Sequence, residues 1–147
     1  MHRMANRAMA AFELSVIGAA YQMMPLYVAV LVDRSTTPFY YTISFQSLFL
    51  SSFVVVRSAS HILEDWKGRI TWPSITLGVG VANLSTVLIA YYAQITPVPI
   101  SSTTPSSLPA ILALISGPIL SIIGGILGFS AVLQYSREHG HAIIARA

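Results

Sequence analysis

The sequence predicts an all-α fold, a polytopic membrane protein built as a four-transmembrane-helix bundle with both termini on the cytoplasmic side. Three observations predict it. Charged residues make up 9% of the 147-residue chain against 54% hydrophobic ones, with a mean hydropathy of +0.69, whereas soluble domains carry about 25% charge. Between Ile70 and Ser136 there is no Asp, Glu, Lys, Arg or His, so half of the chain has nothing with which to build a water-facing surface. The apolar residues fall into four stretches, each near the roughly 20 residues that a helix needs to cross a hydrocarbon core of about 30 Å.

The first span is expected over 8–32, with Glu13 near its start and Pro25 inside it. A proline in a helix interior leaves a carbonyl without its donor, so a kink is expected there. Asp33, Arg34 and Pro38 then mark a turn. The second span covers 39–60 and carries Arg57 close to its end, followed by the polar connection from His61 to Arg69. The third covers 71–95, with Pro73 in its first turn, where a missing N–H costs little. The fourth covers 110–135. The loop at 96–109 is uncharged and rich in Pro, Ser and Thr, a composition that favours extended backbone. The whole of 1–147 reads as one transmembrane domain.

Orientation follows from the cationic residues. Arg3 and Arg7, then Arg57, Lys67 and Arg69, then Arg137 and Arg146 share one side of a four-span chain, and only Arg34 lies on the other. The positive-inside rule puts the first group in the cytoplasm. Trp66 and Trp72 belong to the same interface, and Tyr40, Tyr41, Tyr91 and Tyr92 to the outer one. The basic N-terminal segment ahead of an apolar stretch has the pattern of a signal sequence, and is expected to serve as an anchor instead of a cleaved leader. The net charge of +3 is scattered along the chain, so no nucleic-acid partner is expected. The absence of cysteine excludes disulfides and thiolate metal sites. The sequon Asn83-Leu84-Ser85 is discounted because it falls in mid-span.

Packing signals are stronger than chemical ones. Membrane helices associate where small residues let their backbones approach. The fourth span has Gly117, Ser121 and Gly125 at four-residue spacing, and Gly124 with Gly128 in a second row. The third offers Ser74, Gly78 and Ala82, followed by Ser85; the second offers Ser44, Ser47, Ser51 and Ser58. Some of these faces are expected to close the bundle and others to meet a partner. Gln22, Gln46 and Asn83 are mid-span amides, costly to turn toward lipid, so each is expected to bond to another helix.

Glu13 is the residue nearest to chemistry, as an intramembrane carboxylate able to handle a proton or cation, or to pair at the interface. His2, His61, His139 and His141 lie outside the expected spans, which argues against haem ligation by facing helices. No catalytic, cofactor or metal residue is assigned. No cofactor is expected in the chain itself, and bound lipid is. The reading that follows is a non-catalytic integral membrane subunit of a larger assembly, with other membrane subunits and lipid as its partners and an energy-transducing respiratory complex as one home. A small oligomeric transporter or channel using Glu13 and the mid-span amides is the alternative, and a membrane enzyme acting on lipid near His61, Glu64 and Asp65 the third reading.

Overall fold

A computed structural model describes the backbone of residues 2–32, 39–64, 69–95 and 108–139, and side-chain surroundings over 5–23, 46–64, 69–89, 112 and 115–138. Its regular structure there is helical: α1 (His2–Val32), α2 (Phe39–Glu64), α3 (Thr71–Ile95) and α4 (Leu108–His139). Two of the helices, α3 and α4, are long and apolar enough to cross a membrane, over Thr71–Ile89 and Ile115–Glu138.

α3 has the expected bounds, and the other helices overrun theirs. α1 starts six residues before 8, α2 continues four residues past 60, and α4 extends past 135 to His139. Hydropathy reports where lipid would end, while a helix needs only continued backbone bonding and good helix formers such as Ala5 and Ala8. Pro73 is buried in the first turn of α3, where the Ser74 N–H donates to the Ile70 carbonyl at 3.1 Å. α4 carries Pro118 in its interior, a breaker that sequence reading passed over. Pro118 is fully buried, and its carbonyl lies against Gly80 of α3. α1 continues past Pro25, where a kink is expected, to Val32; the connection at 33–38, most of the loop at 96–109 and the C-terminal tail lie outside the described residues.

The helices form a square in which α1 adjoins α2 and α4, and α3 adjoins the same two. The most extensive seam joins α1 to α4. Ala11 and Ser15 pack on Gly124, whereas Gly18 and Gln22 pack on Gly117, so ascending numbers in α1 meet descending ones in α4 and the two run antiparallel. Pro73 against Gly128, Leu77 against Gly125 and Gly80 against Ile122 establish the same for α3 and α4. Ser58 against Thr76 and Ser51 against Asn83 do so for α2 and α3.

Leu48, Val55, Ile62 and Val132 are buried, yet much of the interior is small or polar and much of the outer surface is large and apolar. The buried positions include Ala8, Ala11, Ser15, Ala19, Gln22, Ser52, Ser58, Thr76, Asn83 and Ser121. Large apolar residues stand outside on every helix: Met9 and Ile17, Leu50 at 65% exposure and Phe53 at 53%, Leu88 at 48% and Ile89 at 69%, Ile123 and Ile126. In water the hydrophobic effect would drive the large residues inward.

Candidate functional site

The interior groups with the strongest demands are the amides, and the structure brings two of them together. Gln22 of α1 and Asn83 of α3 occupy diagonal corners of the square, each almost completely buried. Asn83 Nδ2 donates to Gln22 Oε1 at 2.7 Å and to Ser51 Oγ of α2 at 2.7 Å. Gln22 Nε2 donates to Ser121 Oγ of α4 at 3.0 Å, and that hydroxyl donates on to the Gly117 carbonyl at 3.2 Å. One connected polar knot therefore touches all four helices. Ser51 Oγ has two acceptors within reach, the Leu48 carbonyl at 2.9 Å and Asn83 Oδ1 at 3.1 Å, and a single proton to give them.

A second hydroxyl contact lies nearer the α2–α3 connection, where the buried Ser58 Oγ and Thr76 Oγ1 are 2.6 Å apart. One turn further along, His61 stacks on Trp72 with ring centroids 4.1 Å apart and planes 19° from parallel. His61 Nδ1 also lies 3.5 Å from Glu64 Oε2. On the α1–α4 side, Arg7 Nη1 donates to Gln134 Oε1 at 2.9 Å, and Gln134 Nε2 donates to Glu138 Oε1 at 3.0 Å. This surface relay joins the beginning of α1 to the end of α4.

The residues singled out from sequence fall into two groups. Gln22, Asn83, Ser51, Gly117, Ser121, Gly124, Gly125 and Gly128 face neighbouring helices. Their grouping differs from the two expected rows on α4. Gly117, Ser121 and Gly124 serve α1, Gly125 serves α3, and Gly128 meets Ile62 of α2 and Pro73 of α3.

The other group lies outward. Ser74, Gly78 and Ala82 are exposed, and a side chain built on Gly78 would meet nothing within 4 Å. Asn83 is the physical reason. It is five residues, about 140° around the helix, from Gly78, and burying the amide turns the small stripe out. Gln46 is exposed and stands outside the knot, because it is five residues from Ser51 and the same rotation separates them. Ser47 is exposed too, while the side chain of Ser44 lies outside the described residues. Glu13 is exposed on α1, nine residues and about 180° from Gln22.

Sequence reasoning missed the α1 face formed by Ala8, Ala11, Ser15, Gly18, Ala19 and Gln22. Its signal is present as small residues recurring at three- and four-residue steps that end on an amide. It also missed Thr76, which is about one turn from Gly80 and two from Asn83 on the same buried face. The described residues hold no group of three or more metal-ligating side chains. Amides and hydroxyls do not titrate near neutral pH, so the chemistry of the knot is hydrogen bonding. No family model, curated protein or solved structure matches the chain, which leaves the geometry to carry the functional reading.

Proposed function

We propose that the chain is a non-catalytic integral membrane subunit that spans the bilayer four times, keeps both termini in the cytoplasm and stabilises a larger membrane assembly, with an energy-transducing respiratory complex as one possible setting. The observation that carries this reading is the large apolar surface on all four helices, set against an interior that holds several polar side chains. α1 and α2 are less apolar than α3 and α4, yet they too present Ile17, Leu50 and Phe53 outward and keep Ser15, Gln22 and Ser52 inside. That arrangement suits a solvent of acyl chains around all four helices. The knot supports a structural role, since its groups bond to one another across the bundle. The open stripe Ser74–Gly78–Ala82 leaves room for a partner's helix to approach α3 closely.

A transport route shared by Glu13 and the mid-span amides finds no support in this geometry, because Glu13 faces away from Gln22 and Gln46 away from the knot. Two measurements test the proposal. Reporter fusions at both termini and within 65–68 are expected to read cytoplasmic, and a fusion within 100–105 external; opposite sides for the two termini would remove the four-span reading. Native mass spectrometry after extraction in mild detergent is expected to find larger membrane subunits in fixed stoichiometry. A lone chain or a pure homo-oligomer would overturn the accessory role.

A further inference from the structure

Glu13 on α1 and Arg57 on α2 are exposed charges that lie more than one turn inside their helices. Arg57 lies seven residues, about two turns, inside the end of α2 at Glu64 and is exposed. No acidic partner lies within ion-pair distance of it among the described residues. Its surroundings form a ladder at four-residue steps, a spacing that places successive side chains on one ridge of the helix. Phe49 and Phe53 come first, edge to face with centroids 5.2 Å apart. Arg57 follows, and then His61, lying flat on Trp72 of α3. Going from mid-bundle to the helix end, the ridge is therefore apolar and aromatic, then cationic, then aromatic with polar edges.

We infer that this α2 ridge, with Trp72 beside it, is a binding site for an anionic phospholipid, whose phosphate pairs with Arg57 while an acyl chain lies along Phe53 and Phe49. The inference rests on the membrane reading above and adds a ligand to it. A guanidinium among lipid-facing side chains is costly unless an anion meets it, and a lipid phosphate at the interface supplies one in bidentate geometry. His61 and Trp72 have the amphipathic character that suits headgroup depth. Glu64 stands on the water side of His61, two turns from Arg57, where its carboxylate is held near the imidazole and away from the phosphate.

The test uses the full chain with Trp66→Phe, which leaves Trp72 as the sole tryptophan, reconstituted in vesicles containing brominated lipid. Brominated phosphatidylglycerol is expected to quench Trp72 with about fivefold preference over brominated phosphatidylcholine, the factor one arginine is worth at an anionic surface. Arg57→Gln is expected to abolish the preference and leave phosphatidylcholine quenching unchanged, which also reports that the variant is folded and inserted; Arg57→Lys keeps most of it. Quenching without preference, or a preference that survives in Arg57→Gln, overturns the lipid site alone. A preference for phosphatidylethanolamine over both other lipids also overturns it, by assigning Glu64 to an ammonium group. Loss of the preference on adding millimolar inorganic phosphate shows a site for free anion and overturns the lipid assignment. No quenching by any brominated lipid overturns the membrane reading itself.

Discussion

Where α1 meets α4, backbone lies against backbone; where α2 meets α3, hydroxyls, an amide and a ring stack bridge the helices. A side-chain carbon added at Gly117 would come within 2.9 Å of the Gly18 carbonyl and 3.0 Å of the Gln22 nitrogen, and one added at Gly18 would come within 2.7 Å of the Gly117 carbonyl. The specific contacts of the α2–α3 seam are Ser58 with Thr76, Ser51 with Asn83 and His61 with Trp72. Dispersion between close backbones falls away sharply with separation, so the first seam is intolerant of bulk. Polar bonds in membrane proteins are individually modest, so the second seam is expected to lose stability in small steps.

The largest effect should come from the first seam. Gly117→Leu is expected to destabilise the bundle by about 3 kcal/mol or more, measured as a shift of the unfolding midpoint in mixed micelles. An unshifted midpoint would mean that α1 and α4 are not in contact there. Asn83→Leu should follow at about 1–2 kcal/mol, since it strips Gln22 and Ser51 of one partner together. A double-mutant cycle with Gln22→Leu sharpens the point, because zero coupling would take the knot apart. Ser58→Ala should cost about 0.6 kcal/mol, and adding Thr76→Val should cost little more if the two hydroxyls serve one another. Smallest of all, Gly78→Leu should change stability by less than about 0.5 kcal/mol, like other exposed substitutions. The same variant should weaken co-purification of any partner whose helix uses that face. A stability loss like that of Gly117→Leu would show that α3 is turned the other way.

The pair Gly78 and Gly117 also marks what was legible in the sequence. Both sit in small-residue rows at four-residue spacing, yet one is open and the other is buried against backbone. Spacing finds a helix face without saying which way it points. The direction was available in Asn83, because an amide has more to lose in lipid than a stripe of small residues has to gain from a neighbour. The positions of the helices were legible because apolar length is a one-dimensional property, and α3 begins and ends where hydropathy places it. Partner choice within the knot was not, since nothing at Gln22 specifies Ser121, ninety-nine residues away, over any other hydroxyl. Gln46 makes the same point from the other side, as an amide of equal chemistry that remains outside.

The most extensive seam has a consequence for how the molecule is made. It joins α1 to α4, and the Arg7–Gln134 bond closes a loop of 127 residues. During synthesis the small-residue face of α1 emerges first and waits through the translation of α2 and α3 before α4 can cover it. A nascent chain that stalls before Leu108 exposes Ala11, Ser15 and Gly18 along one open groove, the kind of unfinished surface that invites mispairing or quality-control capture. Translation of α4 and closure of the most extensive interface are therefore coupled, and the bundle stays open along α1 until its distant partner has been made.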